Sequence, residues 1–244
     1  GFAEYMKASA SYAVPLPSGL KYTAAAPLFC AGLTAFRALK ISGAREGDTV
    51  AIWGTGGLGQ LAIQLAKELG TTVAAVDTTQ KKLELARQLG ADVLVNAGEG
   101  QTEDAIAALK NANVALVFAP TPQAIIEGFQ ALRPGGTVVL AGQPPGNLNL
   151  SIVETIRKGI RILPCGVGTL EDLCEVLAMA ASKKVRAIYE SFRLENVNEV
   201  LERMRNGSIL GRAVIEFPDR PTDTGEWLTG KKTPTWRVTE LQKM

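Results

Sequence analysis

The chain has 244 residues, 46% of them hydrophobic and 20% charged, enough to bury an ample core over one or two domains. A formal net charge of +2 gives neither a nucleic-acid footprint nor a membrane-seeking surface, and no apolar run approaches the ~18 residues of a spanning helix. The complete lack of histidine removes imidazole from the chain's own chemistry, both as proton shuttle and as metal ligand.

Residues 1–22 alternate short apolar runs with turn residues such as Pro15, Pro17 and Gly19, as strand and loop leading in from another part. Residues 23–42 read as one helix, with Thr23 as its cap, Pro27 near the first turn and an apolar face of Leu28, Phe29, Leu33, Phe36 and Leu39. Asp48-Thr-Val-Ala-Ile-Trp53 then reads as a buried strand, Gly54-Thr-Gly-Gly-Leu-Gly59 as a glycine turn, and residues 60–66 as a helix. A second apolar strand, 72–76, ends at Asp77.

Each residue type in that unit has a physical use in a dinucleotide site. Gly54 permits a tight turn, Gly56 lets backbone approach a pyrophosphate, and Gly59 lets the helix lie close on the sheet. Gly57 and Leu58 complete the turn, and the helix start presents N–H groups and a positive dipole end to phosphates. A carboxylate at Asp77 accepts hydrogen bonds from ribose hydroxyls and repels a 2′-phosphate, which favours NAD over NADP. The plainer reading is that Asp77 caps the helix opening near Thr78 or Thr79, and the two roles are compatible.

Further along, helices are expected over 81–89, 103–110, 123–132 and 152–158, and strands over 93–95, 114–119, 137–141 and 161–163. Gly90 closes the first of these helices, and Pro134-Gly135-Gly136 is a sharp turn into strand 137–141. Strands alternating with helices imply a mostly parallel sheet covered on both faces, wound in both directions. From Gly166 the rhythm changes: helix 170–181, strand 187–190, helix 197–206 and strand 212–217. Residues 218–244, rich in proline, threonine and basic side chains, read as a loosely ordered tail.

Several of these segments, in this order, resemble the zinc-dependent medium-chain alcohol dehydrogenases. They are Gly1-Phe-Ala-Glu-Tyr5, Ala26-Pro-Leu-Phe-Cys-Ala-Gly-Leu-Thr34, the glycine turn, Asp77 and residues 207–214. The resemblance runs over about residues 1–217 and implies a Rossmann-type doubly wound parallel sheet with helices on both faces. Remnants of a second, catalytic domain would flank it. Residues 1–30 and 166–217 would belong with that domain, 31–165 would form the NAD-binding domain, and 218–244 the tail.

The resemblance also implies roles residue by residue. Cys30 falls at the third catalytic zinc ligand, Thr34 beside the nicotinamide, and Leu58 behind its ring. Asp77 and Lys82 fall at the adenosine ribose, and Arg212 at the pyrophosphate, where its planar fork donates two parallel hydrogen bonds. The plain readings are a solvated helix face for Lys82, a surface salt bridge for Arg212 and a buried thiol for Cys30.

The family's barrel, with its other cysteine and histidine ligands, has no counterpart in this sequence. A catalytic zinc needs about three protein ligands, and Cys30 alone matches one, so no tightly held zinc is expected in this chain. The implied function is NAD(H)-dependent alcohol/aldehyde interconversion, with a homo-oligomer formed through a sheet edge. The alternatives are an inactive NAD(H)-binding module and a zinc-free reductase of enones or quinones. Unpatterned Cys30, Cys165 and Cys174, with no secretory signal, suit a reducing cytoplasm. Opening on Gly1 rather than methionine suits a fragment or processed product.

Overall fold

A computed structural model describes residues 2–3, 6–98, 109 and 111–217. The helix expected over 103–110 and the tail 218–244 lie outside the described residues, apart from Leu109, which is helical.

The first expected helix is broken. A single turn, α1 (Tyr22–Ala25), passes into a 3-10 turn (Ala26–Phe29), and α2 (Ala31–Ser42) starts afresh. Pro27 sits in the first turn of the 3-10 segment, and Cys30 adopts φ −122°, ψ −64°, so the hydrogen-bond ladder restarts there. Lys21, not Thr23, occupies the N-cap position of α1.

Next come β1 (Thr49–Trp53), α3 (Gly59–Glu68), β2 (Thr72–Asp77), α4 (Gln80–Gln88) and β3 (Val93–Asn96). Then follow β4 (Ala112–Val117), α5 (Pro122–Gln130), β5 (Leu132–Leu140), α6 (Ile152–Lys158) and β6 (Arg161–Pro164). The strands form one parallel sheet in the order β3-β2-β1-β4-β5-β6. The order reverses between β1 and β4, and a cleft opens beyond the strand ends at such a point. The inner strands are apolar almost throughout because both faces are covered. Trp53 pairs with Val76 on one side and Val117 on the other, so β2 runs one residue beyond β1 and β4 and carries Asp77 past their tips.

The Pro134-Gly135-Gly136 turn appears in a different form. Leu132 pairs with Ala112 and Thr137 with Val114, so the residues between are thrown out of register inside one strand, with Gly135 at φ +75°. The rest of the chain forms α7 (Leu170–Ala181), β7 (Tyr189–Arg193), α8 (Val197–Arg205) and β8 (Arg212–Glu216). β7 and β8 make a separate two-stranded parallel sheet.

Two cores flank the large sheet. One gathers Leu33 and Leu39 of α2, Leu61, Ile63 and Leu65 of α3, and Leu173, Val176 and Leu177 of α7. The other gathers Trp53, Val76, Val117, Ile125, Phe129 and Val138. Each fully buried Leu or Ile contributes about 1.5–3 kcal/mol relative to exposure. Helix α7 opens with a capping box between Thr169 and Asp172.

Residues 59–66 of α3 are buried all round, which forces its two glutamines to find partners. Gln60 donates to Ile188 O at 2.9 Å and accepts from Ile188 N at 2.7 Å. One turn on, Gln64 does the same with Arg186, at 2.8 and 3.0 Å. The two amides act as a strand edge and dock the 186–188 segment on the helix. Among the described residues no single helix is long and apolar enough to cross a membrane. Tyr22–Phe29 with Ala31–Ser42 passes only as a pair bent by 48°.

Candidate functional site

The strand-tip cleft encloses about 480 Å³ and is lined by Gly54, Gly56, Gly57, Leu58, Asp77 and Lys82, together with Trp53, Phe118 and Glu127. Four glycines shape its rim, for different reasons. At Gly54 φ is +87°, and a Cβ would lie 2.7 Å from Ala119 N. At Gly59 a Cβ would lie 2.0 Å from Gly54 O, so only glycine lets α3 start beneath its own turn. A Cβ on Gly57 would meet Arg212 Cδ at 2.6 Å. A Cβ on Gly56 would meet nothing within 4 Å, so the bare backbone there faces open space. No side chain caps α3; Gln60 N and Leu61 N donate to Gly56 O at 3.1 Å and Leu58 O at 3.0 Å, so only the N–H groups ahead of Gln60 are left to whatever occupies the turn.

Asp77 is buried at the tip of β2, and its carboxylate is already engaged. Oδ2 accepts from Thr55 N at 2.8 Å and Thr55 Oγ1 at 3.2 Å, and Oδ1 accepts from Thr79 N at 3.1 Å. Lys82 Nζ lies 3.7 Å from Oδ1. Asp77 therefore pins both the glycine turn and the entry to α4, where Thr79 is the N-cap. A carboxylate has about four lone-pair positions, so one acceptor site remains toward the cleft. Lys82 turns to this acid rather than into bulk water.

Arg212, first residue of β8, lies over Gly57. Its N–H donates to Ile188 O at 3.0 Å, the same carbonyl that Gln60 grips. Among the described residues it has no carboxylate partner, which removes the surface salt bridge expected as its plain reading. The sequence reading missed Gln60, Gln64, Trp53 and Glu127. The missed signal for the first two was a pair of amides one turn apart on a helix whose neighbours are all apolar.

Cys30 and Thr34 do not line the cleft. They sit one turn apart at the head of α2, where Thr34 N donates to Cys30 O at 2.9 Å. Thr34 is buried. Cys30 is exposed, against the expectation of a buried thiol, and stands at the helix break, as the N-cap of α2 and not on a continuous helix face. The buried thiol is Cys165, whose pKa burial pushes up, with Arg37 lowering it and Asp172 adding to the rise. Among the described residues no three Cys, Asp or Glu side chains gather as metal ligands.

Fold and cleft define the class: a doubly wound α/β protein with a dinucleotide-type glycine turn at its switch point. The zinc-binding dehydrogenase family matches residues 57–182. An alcohol dehydrogenase of Geobacillus stearothermophilus is 44% identical over 220 residues, covering 88% of this chain and 64% of that protein. The crystal structure of the alcohol dehydrogenase from the hyperthermophilic archaeon Aeropyrum pernix superposes with a TM-score of 0.82 at 34% identity, covering 88% of this chain and 65% of that one. The acetophenone reductase from Geotrichum candidum NBRC 4597, solved in complex with NAD, gives a TM-score of 0.76 at 27% identity, covering 85% and 60%. The chain thus belongs to the zinc-binding dehydrogenase family and spans less than two thirds of the length of these relatives.

Proposed function

We propose that this chain is the cofactor-binding portion of an NAD(H)-dependent oxidoreductase of the zinc alcohol dehydrogenase type, acting on a small alcohol or aldehyde. The observation that carries the reading is the open backbone at Gly56 set in one cleft with the Asp77–Lys82 pair. Gly54 and Gly59 hold the bend, Gly56 and Gly57 admit the pyrophosphate, and Arg212 donates to it. Asp77 takes a ribose hydroxyl on its free acceptor, Lys82 donates to the same sugar, and Leu58 backs the nicotinamide. When bound, the coenzyme supplies hydride exchange with the carbon of an alcohol or carbonyl. The complex of the 27%-identical acetophenone reductase with NAD supports this choice of cofactor.

Asp77 also carries the preference for NAD(H), because a 2′-phosphate would meet its charge. Lys81, next to Lys82, is the nearby cation that would soften this.

The donor set does not fit a catalytic zinc. Three protein ligands are needed, whereas Cys30 stands alone and the sequence has no histidine. Thr34 is likewise assigned to the nicotinamide side only by resemblance. This favours the second reading, a module that binds NAD(H) without turnover. Titration calorimetry with NADH, run beside assays on ethanol and aromatic alcohols, separates the two. Binding with turnover supports the enzyme, binding alone supports the module, and an absence of binding removes both.

Residues 1–30 and 166–217 are assigned to a second domain, consistent with exposed Phe2, Met6, Tyr12 and Tyr22. Edge strand β6 and the exposed Ile152, Val153 and Ile156 of α6 suit pairing with a second copy. Three free cysteines suit a reducing compartment such as the cytoplasm.

A further inference from the structure

The cleft that holds Asp77 and Lys82 is also lined by a buried acid that the assigned roles leave unused. Glu127 lies on α5, one turn beyond Gln123, so both project from the same helix face into the cleft. Its residue exposure is 6%. Trp53 Nε1 donates to Glu127 Oε2 at 3.1 Å. Among the described residues Oε1 has no hydrogen-bond partner, and the residue lines the cleft. A carboxylate in an apolar wall with a single neutral donor is costly to bury. That cost is offset when a ligand supplies a second donor.

We propose that Glu127 is a specificity-determining residue that reads the base of the bound dinucleotide, accepting a hydrogen bond from an exocyclic amine at purine position 6. The proposal rests on the cofactor reading above and deepens it. A sugar held at Asp77 and Lys82 carries its base into the remaining part of the same cleft. There Val76, Phe118, Ala119 and Ala124 present apolar walls suited to a flat ring. Other polar groups at that end are already occupied or uncharged. Thr121 Oγ1 accepts from Ala124 N at 3.3 Å, and Gln123 carries a neutral amide. Glu127 is therefore the acceptor that separates a 6-amino purine from one without that amine. Trp53 holds the carboxylate in place by its N–H, making it the positioning residue.

The test is calorimetric binding of NADH and of its analogue with hydrogen in place of the adenine 6-amino group, using the full chain. The native chain should bind the analogue at least about tenfold more weakly, the scale of a hydrogen bond to a charged acceptor. Glu127→Gln keeps an acceptor for Trp53 and should bring the two affinities within about threefold, mainly by weakening NADH. Asp77→Asn should weaken both ligands alike and preserve their ratio. Equal binding of the two by the native chain overturns the role of Glu127 while leaving the cofactor reading intact, and needs no variant to fold. A ratio unchanged in Glu127→Gln overturns it as well. If neither dinucleotide binds the native chain, both readings fall together.

Discussion

The two faces of the large sheet treat their buried polar groups in opposite ways. On the face covered by α2, α3 and α7, the buried amides and acid are paired within the protein. Gln60 and Gln64 are matched to backbone, and Asp172 receives Arg37 at 3.2 Å and Lys40 at 2.9 Å. On the face covered by α5 and α6, Glu127 keeps an acceptor free, and Ile152, Val153 and Ile156 stand in water. A face whose charged and amide groups are paired, with Thr137 Oγ1 as its one buried unpartnered side-chain atom among the described residues, serves stability. A face with unused acceptors and uncovered apolar surface is adapted to something that binds.

Four measurements would break or sharpen that contrast. The largest effect is expected where the glycine turn meets the closed face. Gly59→Ala forces a Cβ against Gly54 O and should cost about 3 kcal/mol in denaturant unfolding, whereas Gly56→Ala, facing open space, should leave the unfolding midpoint near native and lower NADH affinity. Equal losses of stability at both positions would dissolve the distinction.

Gln60→Leu comes next. It strands the Ile188 N–H, removes one of the two donors to Ile188 O and should destabilise by about 2 kcal/mol, with a parallel loss of dinucleotide affinity because Arg212 hangs on the same carbonyl. An unfolding curve matching the native one would mean the amides are not the clamp.

Acid titration probes Asp172. Burial pulls its pKa up, but the Lys40 ammonium, the Thr169 N–H and Arg37 outweigh it, and the net value lies below the ordinary carboxylate range. A depressed folded pKa means this stabilisation is present above the unfolded value, about 3.9, and is lost as pH falls through the folded one. Asp172→Asn should therefore cost about 1–2 kcal/mol at neutral pH, discounted because Arg37 and Lys40 are partly exposed, and should flatten the loss of stability below about pH 4. The smallest change belongs to coenzyme choice. Asp77→Ser should move the NADH/NADPH affinity ratio about tenfold toward NADPH, roughly 1.4 kcal/mol. If the native chain already binds both equally, the argument from charge fails.

Most of the alternating strands and helices were legible because their signal is local: apolar runs of strand length, helical spacing and glycine at turns. The rim of the cleft was legible for the same reason, since Gly54, Gly59 and Asp77 lie within one βαβ unit. The chain break at Cys30 was not. Apolar spacing continues smoothly across it, while the restart of the ladder depends on how the Pro27 turn packs. Nor could the spacing show that Pro134-Gly135-Gly136 leaves the strand pairing out of register instead of ending it, because that depends on β4 alongside.

From composition and order alone came the parallel doubly wound sheet, the bend for an anionic group and the acid at the second strand's tip. These follow from short-range backbone geometry that a few neighbouring residues dictate. Tertiary structure alone decided that Arg212 would lie over Gly57, that Gln60 would hold its neighbour Ile188, and that Trp53 would donate to Glu127 in the cleft wall. Those partners are 74 or more positions apart in the chain. A polar side chain carries no mark of burial until the element covering it arrives, and the hydrogen bond it then requires is set by that packing.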